Sequence, residues 1–191
     1  KRSRFWVPAI ALFSGMRLNE ICQLHTADVQ EINGVWCFVI TTQGADDKQL
    51  KTSASERLVP IHPMLHRMGL IGYTKERYGS GEFRLFPEIR ADTFGQHSGR
   101  FSRWFARFLV SSNAAAPRTC FHSFRHSFRD ALREARVDRE VALALGGWSS
   151  TGTSKNAVAD QYGSGFSSNV LYAAIASIEY PCLNLNHLLA D

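Results

Sequence analysis

The stretch "FHSFRHSF", residues 121–128, places His122, Arg125 and His126 among three phenylalanines. On a helix, His122 and His126 would share one face and could bind a metal ion, but the stretch supplies no carboxylate between them and no obvious third ligand. Arg125 would share a face with His122, and its fixed positive charge would repel a divalent cation. The same pair suits an oxyanion, because arginine offers a planar two-donor fork and histidine gives or takes one proton. The pattern favours a phosphate site and leaves His126 as a packed or surface histidine.

A second arginine stands in "SGMRLNE", shortly after a glycine that is suited to end a helix. Arg17 would lie at the start of the next helix, where free backbone N–H groups and the helix dipole favour an anion. The alternative is an intrahelical ion pair with Glu20, three residues further on, which stabilises a surface helix by only a few tenths of a kcal/mol. The residues alone leave both interpretations open.

The elements that must position these side chains are mostly helical. Apolar residues recur with helical spacing in "RFWVPAIALFS", "PMLHRMGLIGYTKERYG", "RFSRWFARFLV", the 121–128 region, "REVALAL" and "NVLYAAIASI". Asn33-Gly34 between two β-prone runs predicts a type I′ hairpin, and "RLVPI" predicts a third strand with Pro60 at an edge or at its end. The predicted fold class is mainly α with a small three-stranded antiparallel sheet (α+β).

Composition limits the class of protein further. The chain has 191 residues, 45% of them hydrophobic, and neither a repeat nor a break in composition, so we expect one domain spanning 1–191. A net charge of +5 suits a partner of opposite charge, without separating such a protein from other basic enzymes. The apolar runs are too short for a bilayer and no signal segment opens the chain, which predicts a soluble cytoplasmic protein with no membrane partner. Four scattered cysteines without a CxxC pair indicate reduced thiols.

Five motifs, in this order, are similar to the catalytic domain of a tyrosine recombinase of the phage integrase family. They are "SGMRLNEI", "LKTSASERLVPIHPML", "HSFRHSF", "LGGWSS" and "DQYGSG", and the final "YPCLNLNHLL" resembles the ending of bacterial mobile-element integrases. The resemblance runs from about Phe5 to the tail. It implies the tyrosine-recombinase catalytic domain fold. It also implies that the N-terminal core-binding domain of such integrases is absent from this chain, so that this piece alone would bind DNA weakly.

The resemblance also implies a role for each matched residue. The catalytic set is Arg17, Lys51, His122, Arg125, Trp148 and Tyr162, and Glu20 is the acidic residue that supports the first arginine. Tyr162 would attack the phosphorus to form a covalent 3′-phosphotyrosyl link, His122 would assist its deprotonation, and the arginines would neutralise the phosphate. Lys51 would protonate the departing 5′ oxygen, and Trp148 would donate its indole N–H. This chemistry requires no metal and no other cofactor.

Some of these assignments have rivals in the sequence. Lys48 is a second lysine of the same loop, and Tyr172 and Tyr180 are alternative nucleophiles by residue type alone. Trp148 could be an ordinary core tryptophan. The spacing from Trp148 to Tyr162 is somewhat long for the family, which leaves open whether cleavage is in cis or in trans.

Further arginines could meet DNA phosphates. Arg129 and Arg133 follow Arg125 at helical spacing, and Arg100, Arg103 and Arg107 line another predicted helix. Contacts of this kind position a protein on DNA without reading its sequence. The alternative is a solvated helix face, with arginines paired to neighbouring carboxylates.

The predicted function is that of a site-specific DNA recombinase, an integrase that cleaves and rejoins DNA strands. Its partners would be double-stranded DNA and other integrase protomers, as a tetramer in the synapse and a monomer alone, in the bacterial cytoplasm and associated with the nucleoid when bound to DNA. Three alternatives stay open. They are a type IB topoisomerase with the same chemistry, a metal-dependent nuclease built on His122 and His126, and a non-catalytic DNA-binding module.

Overall fold

A computed structural model of the chain describes residues 2–42, 47–50, 55–148, 165–181 and 183–190. Within these ranges the fold is mainly helical with one small sheet, as predicted. The helices are α1 (Ser3–Ser14), α2 (Leu18–Cys22), α3 (Pro63–Arg67), α4 (Leu70–Gly79), α5 (Ser98–Ser111), α6 (Ser123–Glu134), α7 (Arg139–Gly146) and α8 (Ser168–Ala176). The strands are β1 (Val29–Ile32), β2 (Val35–Ile40) and β3 (Arg57–Pro60). None of the described helices is long and apolar enough to cross a membrane.

The three strands form an antiparallel sheet in the order β1-β2-β3. Asn33 and Gly34 join the first two strands, and both have positive φ, at 51° and 79°. This is the backbone that a type I′ turn requires, and it confirms the predicted hairpin. Pro60 ends β3, where the missing N–H group of proline costs least.

The end of α1 packs directly against α6. Gly15 caps α1 with φ of 60°, a conformation that glycine adopts without strain. A Cβ atom at this position would lie 2.2 Å from Cδ1 of Phe128, a fully buried residue of α6. The turn that leads into Arg17 is therefore held against the helix that carries Arg125.

The phenylalanines of "FHSFRHSF" explain how α6 is anchored. The ring of Phe105 on α5 lies 5.1 Å from that of Phe121 and 5.7 Å from that of Phe124, measured between ring centroids. On the next turn Phe128 is buried in the main core. Because these rings fix α6 on two sides, His122 and Arg125 are displayed from a rigid element.

Two features differ from the predicted elements or add to them. The sequence "PMLHRMGLIGYTKERYG" forms two helices instead of one, since Gly69, with φ of 88°, lies between α3 and α4. The tail folds back on the core. Leu188 belongs to a short 3₁₀ turn, and the backbone N–H of Ala190 donates to the carbonyl oxygen of Arg67 at 3.0 Å.

Candidate active site

Four of the predicted site residues come together between the ends of α1 and α7 and the start of α6. They are Arg17, His122, Arg125 and Trp148. Lys51 and Tyr162 lie outside the described residues. The catalytic roles of all six remain predictions, and the geometry of the four shows what this part of the site can do.

Arg125 is buried, with 5% of its surface exposed. Its Nη1 donates to the carbonyl oxygen of Gly15 at 2.6 Å, and its Nη2 donates to that of Gly146 at 2.5 Å. The guanidinium is therefore fixed between the end of α1 and the end of α7 by two neutral acceptors. Within the described residues, no carboxylate is hydrogen-bonded to it.

Arg17 is held from two directions. Its Nη2 donates to the carbonyl oxygen of Gly147 at 3.1 Å, and its Nη1 donates to Oε1 of Glu20 at 2.7 Å. Its backbone N–H also donates to Oε2 of Glu20 at 2.8 Å. Because 28% of the Arg17 side chain is exposed, it is both oriented and accessible to a ligand.

The C-terminal end of α7 holds both arginines and Trp148. Gly146 and Gly147 accept from Arg125 and Arg17 respectively, so two consecutive carbonyls set the separation of the two guanidiniums. The indole of Trp148 follows, and Cζ of Arg125 lies 4.6 Å from the ring centroid. A Cβ atom on Gly146 would lie 2.0 Å from Cε3 of that ring. Glycine at 146 is therefore what allows Trp148 to stack on Arg125.

His122 precedes α6 and is exposed, with its ring 5.1 Å from that of His126 and nearly perpendicular to it. Partial burial lowers the pKa of His122 below its ordinary value, and the nearby His126, Arg125 and Arg17 lower it further. The imidazole is therefore neutral near pH 7 and able to accept a proton.

The site carries an excess of positive charge. Burial and the nearby Arg17 and Arg57 together lower the pKa of Arg125 to about 10, while Glu20 acts in the opposite direction. Arg125 is still protonated near neutral pH, and a nearby oxyanion would stabilise its charged form. A divalent cation would meet the repulsion of these arginines. Among the described residues, no group of three or more His, Cys, Asp or Glu could hold a metal ion.

The structure makes Glu20 part of a buried network rather than a surface pair. The residue is 4% exposed and its carboxylate contacts Arg57 as well as Arg17. Burial raises the pKa of Glu20, but its bonds to Arg57 and Arg17 outweigh this effect and bring the pKa below its ordinary value. The contact between Glu20 and the first arginine, which the sequence predicted, is present.

Arg57 is the residue of this network that the sequence analysis missed. It begins β3, and its Nε donates to the carbonyl oxygen of Leu145 at 2.9 Å. A charged residue directly before the apolar "LVPI" was an available signal, because a buried strand seldom begins with an unpartnered charge.

The rivals of the predicted residues are engaged elsewhere or face solvent. Lys48 is buried, and its Nζ donates to Oδ1 of Asp28 at 2.6 Å. The hydroxyl of Tyr180 donates to the carbonyl oxygen of Leu12 at 2.5 Å, and burial raises its pKa. Tyr172 is exposed on α8. The geometry therefore gives Lys48 and Tyr180 structural partners of their own.

The predicted basic stripes lie on the surface. Arg100, Arg103 and Arg107 are exposed on α5, and Arg129 and Arg133 are exposed on α6. Arg133 pairs with Asp130 at 2.9 Å, as in the alternative of a solvated helix face. Cζ of Arg129 instead lies 5.4 Å from the ring centroid of Trp148, which places this arginine beside the site.

The fold of the described residues is that of a tyrosine recombinase catalytic domain. Residues 6–162 match the phage integrase family, so the chain belongs to that family. This confirms the resemblance that the five motifs indicated. Among curated proteins, none matches the chain significantly.

Three solved structures illustrate the shared fold. The integrase from mycobacterium phage Brujita is 20% identical, with a TM-score of 0.57 over 100% of this chain and 58% of its own. The Tn1549 transposon integrase, in complex with a circular intermediate DNA, is 17% identical, with a TM-score of 0.52 over 78% of this chain and 51% of its own. The XerH site-specific recombinase, bound to its difH substrate, is 20% identical, with a TM-score of 0.50 over 84% of this chain and 46% of its own. This chain thus spans about half the length of these proteins.

Proposed function

We propose that the chain is the catalytic domain of a site-specific DNA recombinase, which cleaves and rejoins strands through a covalent 3′-phosphotyrosyl intermediate without a metal ion. The observation that carries the proposal is the pair of guanidiniums held by the consecutive carbonyls of Gly146 and Gly147. Two fixed cations beside a partly exposed surface suit the non-bridging oxygens of a phosphodiester. Membership of the phage integrase family supports the same reaction.

The proposed reaction exchanges one phosphoester bond for another. The phenolic oxygen of Tyr162 attacks phosphorus and the bond to the 5′ oxygen breaks, so the strand becomes linked to the protein through its 3′ phosphate. His122, which is neutral near pH 7, takes the phenolic proton, and Lys51 gives a proton to the departing 5′ oxygen. Attack by a 5′ hydroxyl then reverses these steps and rejoins the strand.

Arg17 and Arg125 would stabilise the charge that develops on the phosphate, and the indole N–H of Trp148 would add one neutral donor. This division of labour leaves no step that requires a Lewis acid. The proposal therefore predicts full cleavage in the presence of a chelator, which a nuclease built on His122 and His126 would not show.

We further propose that double-stranded DNA is the substrate and that other integrase protomers are partners. The protein would be a monomer alone and a tetramer in the synapse, and it would act in the cytoplasm. The solved Tn1549 integrase and XerH both contain DNA, which supports this substrate class. Exposed arginines of α5 and α6 supply cations for the DNA backbone. Residues 1–191 act as one catalytic unit in this proposal, which the continuous core through the described elements supports.

The test is covalent capture of DNA by the full-length protein. A library of random duplexes, each with a nick that lets the cleaved end diffuse away, is incubated with protein in chelator, and DNA that stays attached in denaturant is sequenced. On the selected duplex, Tyr162→Phe should abolish the adduct. The matched control Tyr172→Phe, which alters an exposed tyrosine of α8, should preserve it. An adduct that survives Tyr162→Phe, or that requires a divalent metal, contradicts the proposal.

Cleavage alone does not separate a recombinase from a type IB topoisomerase. The selected site is therefore placed on two plasmids, and joint molecules are measured alongside the relaxation of supercoils. Site-dependent joint molecules support recombination, whereas relaxation without them indicates a topoisomerase.

A further inference from the structure

Arg57 joins three elements around the site. It begins β3, its side chain is 7% exposed, and its Nε donates to the carbonyl oxygen of Leu145 at the end of α7. Its Nη1 donates to the carbonyl oxygen of Ser55 at 2.8 Å. Arg57 also donates to both carboxylate oxygens of Glu20 on α2, with Nη2 2.8 Å from Oε2 and Nη1 3.2 Å from Oε1. This two-point geometry is that of a strong arginine–carboxylate pair.

Glu20 is shared between two arginines of unequal exposure. Arg17 contacts the same carboxylate, but its side chain is 28% exposed, against 7% for Arg57. Arg57 is thus the buried partner, and Arg17 is the one able to reach a ligand.

The sharing decides how much positive charge the site offers. Arg17, Arg57 and Arg125 carry one positive charge each and Glu20 carries one negative charge, so these four residues together have a net charge of +2. If Glu20 had Arg17 as its one partner, the two would form a neutral pair. The net charge would then be +1, supplied by Arg125. Arg57 therefore balances Glu20 and leaves Arg17 free to neutralise an anion.

We propose that Arg57 is a positioning residue for strand cleavage, which neutralises Glu20 so that Arg17 and Arg125 present two uncompensated positive charges to the scissile phosphate. The inference rests on the proposed function. It adds a residue whose guanidinium is engaged by the Glu20 carboxylate and by the carbonyl oxygens of Leu145 and Ser55, and which acts through that carboxylate.

The test compares two variants of the full-length protein, Arg57→Met and Glu20→Gln/Arg57→Met, with the wild type on the duplex that the wild type cleaves. Adduct formation is measured in a single turnover at saturating protein. Arg57→Met should slow it by on the order of 10- to 100-fold, the loss that supporting residues of a charged site typically cause. Glu20→Gln combined with Arg57→Met restores a net charge of +2 and should recover most of the rate. A purely structural role for Arg57 would make the double variant as slow as the single one, or slower.

A second readout changes the charge of the substrate. A methylphosphonate at the scissile position is neutral, so it places less demand on the arginines. The ratio of wild-type to Arg57→Met rates should therefore be smaller on this duplex than on the ordinary phosphodiester. A control for the loss of one arginine is Arg77→Met on α4, whose partners Glu76 and Glu82 lie outside this network. It should stay within about twofold of the wild type, as most changes remote from a site do.

The outcomes separate this inference from the proposed function. Loss of the adduct in Tyr162→Phe upholds the reaction, whatever the Arg57 variants do. If the double variant then shows no recovery and the methylphosphonate ratio is unchanged, the role of Arg57 is refuted while the reaction stands. Should Arg57→Met fail to fold, Arg57→Lys and the double variant keep the test open. Lysine retains the charge beside Glu20, so Arg57→Lys and Glu20→Gln/Arg57→Met both keep the net charge of +2, and both should cleave at a rate near that of the wild type. If both variants fold and neither forms the adduct, the proposal is overturned.

Discussion

The glycine at 146 offers the sharpest test of how the site is assembled. In Gly146→Ala the new Cβ would lie 2.0 Å from Cε3 of Trp148, so the indole must move away from Arg125. The lost cation–π contact is worth about 1–2 kcal/mol. Overpacking adds about 1–3 kcal/mol. Alanine returns about 1 kcal/mol through its better helix propensity. The expected net loss in the free energy of unfolding is roughly 1–4 kcal/mol.

Cleavage should suffer as well, because a displaced indole cannot donate to the phosphate. A hydrogen bond to a charged group is worth about 1.5–3 kcal/mol, which corresponds to a loss of about 10- to 100-fold in the single-turnover rate. Trp148→Phe removes the same N–H without adding an atom at residue 146. The two changes should therefore be far from additive, and the double variant should cleave about as slowly as either single one.

The matched control is Gly72→Ala in α4, where an added Cβ meets nothing within 4 Å. This change should stabilise the protein by about 0.5–1 kcal/mol and leave cleavage unaltered. Unfolding is followed in urea, and cleavage on the selected nicked duplex. A Gly146→Ala protein that cleaves at the wild-type rate would refute the reasoning, since Trp148 would then not need its place on Arg125. The reasoning would also be refuted if the losses in cleavage rate of Gly146→Ala and Trp148→Phe were fully additive, as activation free energies, in the double variant.

Three further predictions concern pH. Because the pKa of His122 is lowered, the single-turnover cleavage rate should be maintained as the pH falls to about 6.5, the ordinary pKa of histidine, and should decline only below that pH. His126→Gln removes one of the groups that lower the pKa of His122, so the midpoint of that decline should move to higher pH, and an unmoved midpoint would contradict the assignment. The pKa of Glu20 is lowered in the folded protein, so its contribution to stability is complete above its ordinary pKa and is lost as the pH falls through the lowered value. Glu20→Gln should therefore make the free energy of unfolding, measured in urea, depend less on pH in the acid range. Burial lowers the pKa of His62, whose Nδ1 accepts from the backbone N–H of Met64. Because the unfolded chain then binds this proton at a higher pH than the folded protein does, the free energy of unfolding should fall from pH 7 to pH 5. His62→Asn should reduce that dependence.

Local chemistry explains which parts of the fold the sequence could predict. Gly15 ends α1, Asn33 and Gly34 form the hairpin turn, and Asp138 caps α7 with bonds to the backbone N–H groups of Glu140 and Val141. In each case a residue type meets a backbone requirement within a few positions of itself. The division at Gly69 was missed, because the apolar spacing continues across it even though the backbone does not.

Long-range partners explain what the sequence could not supply. Arg17 and Arg125 were predicted from their types and neighbours, but their acceptors are backbone carbonyls of a distant helix end, which no residue type advertises. Arg57 was assigned to a strand and given no role, since its partner Glu20 lies 37 residues away in the chain. The prediction thus included Arg17 and Arg125, for which we propose contact with the phosphate, and missed Arg57, which pairs with Glu20.

The end of α7 shows why backbone carbonyls are suited to holding the arginines of an anion site. The last carbonyls of a helix have no intrahelical partner and carry the negative end of its dipole. Here the carbonyls of 145, 146 and 147 accept in turn from Arg57, Arg125 and Arg17. Carboxylates in their place would orient the guanidiniums equally well but cancel the charge that the phosphate needs. Neutral carbonyls fix the geometry and leave the charge in place, so a site of this kind can hold its arginines rigidly and still receive an anion. The one carboxylate bonded to Arg17 in the described part of the chain, that of Glu20, is matched by Arg57, which follows the same logic.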